Sequence, residues 1–219
     1  MSANEIETND FVALGKQMEI SSFSRSGPGI WDVLKPEVVE YGGTHVYIKG
    51  SVPPQFIVTP EVCPELIRKS PEGPAFAHDQ VGTSFSTSKI TYIVSQIEKV
   101  LPESPALLYR ALIAQSARWP KNVNSISKEE CVSILRHIGY GVPDIERATH
   151  NDEYRITLVT PFQMELGDDE AHIFQVPIPE ELSNISEDYD ILVEVTLSYA
   201  ASPRRTRRYV KGYLSTWLD

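Results

Sequence analysis

The most regular alternation of apolar and polar residues lies between residues 83 and 139, where apolar residues recur every three or four positions. This spacing predicts three amphipathic helices, each with one buried face. The second begins with Ser104 as N-cap and Pro105 at the first helical position, and it runs to Trp119. Pro102 closes the first helix, whose predicted buried stripe consists of Ile90, Ile93, Val94, Ile97 and Leu101.

The third predicted helix has a local signal in the sequence at each of its two ends. Ser127 and Glu130 form a capping box, in which each side chain accepts a hydrogen bond from the other residue's backbone N–H. Gly139 follows the last apolar residue and supplies a left-handed C-cap. Both ends of this helix are therefore predicted from local signals alone.

Extended structure is predicted on both sides of the helices. Upstream, short apolar runs predict strands at 11–14 and 19–23 and extended structure up to residue 50, whereas the proline-rich residues 52–79 predict a long loop. Downstream, apolar and polar residues alternate in four segments that are separated by turn-rich links, namely RITLVT, HIFQVPI, ILVEVTLSYA and YVKGYLSTW. This pattern predicts a small antiparallel β-sandwich-like domain. The predicted fold class is α/β, with one domain at residues 1–150 and a β-strand extension domain at 151–219.

Charge and composition exclude several classes of function. A net charge of −10 and a pI of about 5.0 argue against nucleic acid as a partner, because phosphate binding needs a basic surface. No apolar run has the length of a membrane span, and the acidic N-terminal segment is unlike a signal peptide. Cys63 and Cys131 lack metal-ligand spacing. We therefore expect a cytoplasmic protein without membrane contact, metal or cofactor.

The sequence VGTSFSTSKI, residues 81–90, places small polar residues directly before the first helix. A serine at a helix N-terminus faces unpaired backbone N–H groups and the positive end of the helix dipole. An oxyanion beside Ser84 would be stabilised by these donors, and Gly82 would let a substrate backbone approach. The alternative is that Ser84 or a neighbour is only an N-cap.

Three segments resemble the subtilisin family of serine proteases, in the family's own order. GTSFSTSKI resembles its nucleophile motif, ISSFSRSGP with LKPEVVEYGG resembles a stretch upstream of that motif, and GYGVPDIERA resembles the end of the catalytic domain. The resemblance implies the C-terminal half of a subtilisin-like parallel-sheet domain, with Ser84 as nucleophile and with Gly82 and Thr83 as backbone support of the oxyanion site. Ser88 and Lys89 depart from the family motif at positions without a chemical role.

The base that would activate Ser84 is not evident in the sequence. Subtilisins carry Asp and His before Ser along the chain, and no Asp-Thr-Gly, Asp-Ser-Gly or His-Gly-Thr segment occurs here. His45 falls in the strand after the second matched segment, and a Ser84–His78–Asp79 arrangement would need an unusual turn. For His137, His150 and His172 we expect structural roles.

Three hypotheses about function follow. In the first, the chain is the C-terminal part of a serine endopeptidase, inactive alone because Asp, His and the oxyanion Asn lie elsewhere. In the second, it is a non-catalytic pseudoprotease or peptide-binding scaffold. In the third, it is a self-contained hydrolase that uses His78. The first predicts a polypeptide substrate, and it predicts association with the missing N-terminal part or self-association, because half of a parallel sheet exposes apolar faces.

Overall fold

The computed structural model describes residue 7 and residues 9–15, 19–29, 33–58, 67–68, 79–120, 127–160, 163–167, 170–177 and 191–200. Within these described residues, five short strands precede four helices along the chain. The strands are β1 (Phe11–Ala13), β2 (Val46–Ile48), β3 (Phe56–Ile57), β4 (Ile67–Arg68) and β5 (Asp79–Gln80). The helices are α1 (Thr83–Val100), α2 (Ala106–Ser116), α3 (Lys128–Ile138) and α4 (Ile145–Thr149).

The described strands form two small antiparallel sheets. In the larger one the order is β1-β2-β3, with Val12 opposite Tyr47 and Tyr47 opposite Phe56, and β4 pairs with β5 in the other. Every pairing among the described strands is antiparallel, so the predicted parallel sheet is not confirmed there and stays a prediction. Parallel neighbours need a crossover connection between strands, and here every described strand precedes the first helix.

The strand predicted at 19–23 is wrong. The hydroxyl of Ser21 donates to the carbonyl of Gly43 at 2.6 Å, and the backbone N–H of Ser24 donates to the carbonyl of Ser21 at 2.9 Å. The backbone bond closes a local turn, and the hydroxyl bond joins Ser21 to a residue 22 positions away, so this segment belongs to no strand ladder. The predicted loop at 52–79 needs a smaller correction, since it contains β3 and β4 and reaches β5.

The core lies where α1, α2 and α4 meet. Ile93 and Ile97 of α1 pack with Leu112 and Ile113 of α2 and with Ala148 of α4, and Ile97 is fully buried. The predicted stripe of α1 is confirmed, because its other members, Ile90, Val94 and Leu101, pack against this cluster. The capping box of α3 and the positive φ of Gly139, 56°, are confirmed as well.

Helix α4 was not predicted. It has only five residues, too few for an apolar period to be visible in the sequence, and its N-cap is Asp144, which accepts a hydrogen bond from the N–H of Arg147 at 2.8 Å. Helix α2 starts at Ala106 and ends at Ser116, a few residues short of the predicted end at Trp119.

Residues 36–43, which we call the linking segment, are hydrogen-bonded both to the turn after α3 and to the start of α1. The N–H of Tyr140 donates to the carbonyl of Glu37 at 2.8 Å, and the N–H of Val39 donates to the carbonyl of Gly141 at 2.9 Å. At its other end, the carbonyl of Gly42 accepts from the N–H of Gly82 at 2.8 Å. The linking segment therefore fixes α1 relative to α3.

No strand runs through the described residues at 151–160, 163–167, 170–177 and 191–200. The segment 191–200 contacts the helices through Glu194, whose carboxylate lies 2.6 Å from a guanidinium nitrogen of Arg118 and 3.7 Å from one of Arg147. The strands predicted at RITLVT, HIFQVPI and ILVEVTLSYA are not confirmed there, and YVKGYLSTW lies outside the described residues. The β-strand extension domain at 151–219 stays a prediction.

None of the helices in the described part of the chain combines the length and the apolar composition that a membrane span needs.

The carboxylate of Glu37 joins the linking segment to α2. Burial raises the pKa of this carboxyl, but hydrogen bonds from Arg110 and Lys35 lower it more, so its pKa lies below the ordinary value of 4.5. The ionised Glu37 carboxylate therefore contributes to the free energy of unfolding. This contribution is complete above the pKa of the unfolded state and is lost as the pH falls through the lower pKa of the folded state. Between about pH 5 and about pH 3, we expect the free energy of unfolding of the wild type to fall more steeply than that of Glu37→Gln.

Urea unfolding followed by circular dichroism at each pH measures this difference. Glu98→Gln is the matched control, since Glu98 is exposed on α1 and has no ion pair with any described residue. This control should keep the wild-type slope. If the free energy of unfolding falls equally steeply with pH in the wild type and in Glu37→Gln, the lowered pKa of Glu37 would be contradicted.

Candidate active site

Helix α1 begins one residue before Ser84. Gly82 is the N-cap in an extended conformation, φ 162° and ψ 160°, and no side chain caps the helix. Thr83 and Ser84 are therefore its first and second residues, and both are exposed. The alternative that Ser84 is the N-cap is wrong, because the N-cap is Gly82. A capping serine hydroxyl would accept a backbone N–H hydrogen bond, and no side chain does so here.

The hydroxyl groups along α1 differ in what they bind. Those of Thr87, Ser88 and Thr91 donate to carbonyl oxygens one turn earlier, at 3.0 to 3.1 Å. Such bonds satisfy a hydroxyl inside its own helix. Neither Thr83 nor Ser84 has a side-chain hydrogen bond with any described residue, so their hydroxyl groups stay available at the helix end.

A close contact with the linking segment positions this helix end. Gly42 accepts the hydrogen bond from Gly82, and the hydroxyl of Ser86 donates to the carbonyl of Glu40 at 2.9 Å. A Cβ atom on Gly42 would lie 2.6 Å from both the carbonyl oxygen of Gly82 and the hydroxyl of Ser86. Neither contact was predicted from the sequence. The glycines at 42 and 82 were the one sequence feature that could have indicated a close approach of two backbones here.

Gly82 has open space where a side chain would point. A Cβ atom there would have one neighbour within 4 Å, the backbone nitrogen of Ser84 at 4.0 Å. The predicted role of Gly82, which is to let a substrate backbone approach, needs such space.

The electrostatic setting at this helix end is positive. The first N–H groups of an α-helix have no intrahelical acceptor, and the dipole is positive there. The first turn of α1 contains no acidic residue. The ammonium of Lys89 lies 3.9 Å from the carboxylate of Glu40 and 5.5 Å from the ring centroid of Tyr41. A negatively charged oxygen beside Ser84 would therefore meet unpaired N–H donors of the first turn.

None of the described histidines is hydrogen-bonded to Ser84. The ring of His45 packs edge-on against Phe23, and its Nδ1 lies 3.4 Å from the hydroxyl of Ser22. His137 is hydrogen-bonded through Nδ1 to the carbonyl of Ser133 at 2.6 Å. His150 pairs with Glu146 at 3.3 Å, and His172 stacks on Phe174. His78 lies outside the described residues.

Comparison with known proteins identifies the family of the chain. The family model described as the Subtilase family matches residues 6–141, which include the linking segment, the start of α1 and α3. The chain belongs to the subtilase family. At the level of the family this is a serine protease domain, here with helices and a small antiparallel three-stranded sheet.

This subtilase is also similar to an uncharacterised protein, y4bN, of Sinorhizobium fredii. The two sequences are 31% identical over 208 residues, which are 89% of this chain and 44% of that protein. The chain therefore spans less than half the length of this relative. No solved structure matches the chain.

The contact between Gly42 and Gly82 leads to a prediction about two glycines of one junction. Gly42→Ala should lower the free energy of unfolding by about 1–3 kcal/mol, because its methyl group overlaps backbone and forces α1 away. Gly82→Ala should leave it within about 0.5 kcal/mol of the wild type, because there is room and the unfolded chain loses entropy.

Urea unfolding of the two variants, followed by circular dichroism, measures both values. Each variant is the other's control, since the substitutions are chemically identical and lie on the two sides of one hydrogen bond. Equal midpoints for the two variants would show that the contact does not position α1.

Proposed function

We propose that Ser84 is the nucleophile of a subtilisin-like serine endopeptidase that cleaves a polypeptide substrate. One observation carries the proposal. In a chain of the subtilase family, Ser84 is exposed at the second position of a long helix and has no capping role. The neighbouring hydroxyls at 86, 87 and 88 are engaged with carbonyl groups.

The proposed reaction begins with attack of the Ser84 hydroxyl oxygen on the carbonyl carbon of a peptide bond. The hydroxyl proton passes to an imidazole, and the carbonyl oxygen becomes an oxyanion. Backbone N–H groups at the start of α1, including that of Ser84, donate to this oxyanion, supported by the local backbone of Gly82 and Thr83. Return of the proton to the leaving amine and hydrolysis of the acyl-enzyme by water complete the cycle.

We infer that the imidazole, its carboxylate partner and the oxyanion Asn come from polypeptide other than the described residues. The described imidazoles are hydrogen-bonded or stacked elsewhere, and the relative from Sinorhizobium fredii is more than twice as long as the matched region. The proposed partner is the rest of the catalytic domain, with self-association as the alternative. A cytoplasmic location also stays a prediction.

A second candidate function is a non-catalytic peptide-binding scaffold. The observation that favours it is the same lack of a described imidazole beside Ser84. The two candidates differ in what they require of position 84, since a scaffold needs no reactive hydroxyl there.

The first test is covalent labelling of the purified 219-residue chain with a fluorophosphonate probe. We expect slow labelling at Ser84, because a serine without its base is a weak nucleophile and loss of the histidine costs subtilisin about 10⁶-fold in turnover. Ser84→Ala should abolish this labelling, whereas Ser88→Ala, one turn further along the same helix, should keep it. Mass spectrometry of the peptides identifies the labelled residue. Rapid labelling would show that the chain contains its own base, with His78 the first residue to replace.

The second test replaces the nucleophile by one that needs no base. In a Cys63→Ser, Cys131→Ser background, the thiol of Ser84→Cys should have a pKa at least about one unit below that of Ser88→Cys, because the start of the helix stabilises a thiolate. The rate of alkylation by iodoacetamide as a function of pH reports both values. Similar pKa values for the two thiols would refute an anion-stabilising site at position 84, and with it the proposed nucleophile.

A further inference from the structure

A groove of about 510 Å³ lies beside the first two turns of α1. We call it the α1 groove. Four parts of the chain line it: Ile20, Ser21 and residues 23–28; Lys35, Pro36 and residues 38–40; Thr83, Ser86, Thr87 and Ile90 of α1; and His137 and Ile138 at the end of α3. Ser84 itself does not line it, but Thr83 does, so the Cα of Ser84 lies about 3.8 Å from that of a lining residue.

The cationic groups of the α1 groove are not fully neutralised. Arg25 is exposed and makes no hydrogen bond or ion pair with any described residue. Lys35 pairs with Glu37 at 2.9 Å, but the same carboxylate also accepts two hydrogen bonds from Arg110. Two cations therefore share one anion.

Among the described residues, Glu40 is the one carboxylate that lines the α1 groove, and it has the ammonium of Lys89 at 3.9 Å. Its charge is therefore offset in part from outside the lining. On a chain with a net charge of −10, this groove is a local surplus of positive charge. Such a surplus complements an acidic ligand.

His137 adds a polar group at the far wall. Because a carbonyl oxygen only accepts, the bond from His137 to Ser133 requires a proton on Nδ1, and Nε2 is left for a ligand. Apolar side chains also line the groove, among them Phe23, Val38, Ile90 and Ile138.

We propose that the α1 groove binds an extended peptide segment with an acidic side chain, whose carboxylate pairs with Arg25. The volume is that of a ligand pocket rather than of a single small anion. The apolar lining would gain nothing from free phosphate, whereas a peptide presents apolar and acidic side chains together. This inference rests on the proposed function, because the bound segment adjoins the peptide bond that Ser84 attacks, and it names acidic polypeptides as the substrate class.

The test measures binding and not cleavage, so that it does not depend on the base. Fluorescein-labelled octapeptides of Ala and Ser with one Phe carry a single Glu at successive positions, and each has a twin with Gln instead. Fluorescence anisotropy with the 219-residue chain gives the dissociation constants. At the best position we expect the Glu peptide to bind at least about tenfold more tightly than its twin, which is the range of a charge-assisted hydrogen bond.

Arg25→Gln should bring the two constants within about twofold, and Arg25→Lys should keep part of the preference because the charge remains. The control is Lys99→Gln, which also removes one positive charge but lies about 24 Å along α1 from Thr83, and it should keep the wild-type ratio. Equal binding of the twins at every position, or a preference that survives Arg25→Gln, would overturn the proposal.

The same titration with Ser84→Ala separates this proposal from the proposed function. A preference for Glu in that variant supports the α1 groove whatever the labelling experiments show. Loss of the preference in Arg25→Gln together with unchanged fluorophosphonate labelling of Ser84 would locate the effect in the groove. Absence of any preference beside normal labelling would refute the groove alone.

Discussion

The arrangement of this subtilase depends on one close approach of two backbones, at Gly42 and Gly82. No Cβ atom fits at Gly42, and the hydrogen bond between the two glycines joins the linking segment to the first turn of α1. At its other end the linking segment is bonded to the turn after α3, where Gly139 leaves equally little room. Since Ile93 and Ile97 of α1 also belong to the hydrophobic core, this segment positions the candidate active site and the core together.

Features with short-range causes could be predicted from the sequence. The buried stripe of α1 follows from helical periodicity, and the ends of α3 follow from a capping box and a glycine. The position of Ser84 at the start of α1 was predicted in the same way, because Gly82 interrupts the preceding chain directly before a helical pattern. The family was predicted from three short segments in order, and it is shown by a match over residues 6–141.

Features with long-range causes could not be predicted. Nothing local indicates that the hydroxyl of Ser86 reaches the carbonyl of Glu40, forty-six residues away, or that Ser21 bonds to Gly43 instead of joining a ladder. Helix α4 is stabilised by packing against α1 and α2, not by its own five residues. The parallel sheet was inferred from the family and is not confirmed by the described strands, since strand direction depends on partners that a single segment does not reveal.

The unengaged hydroxyl of Ser84 has an evolutionary consequence. Stability in this part of the molecule comes from the contacts of Gly42, Gly82 and Ser86, whereas the side chain of Ser84 makes no hydrogen bond with any described residue. If Ser84 is the proposed nucleophile, mutation of its side chain would abolish the reaction without selection against misfolding. A working peptidase and a silent descendant of it would differ by one side chain, and the passage between them would be thermodynamically neutral.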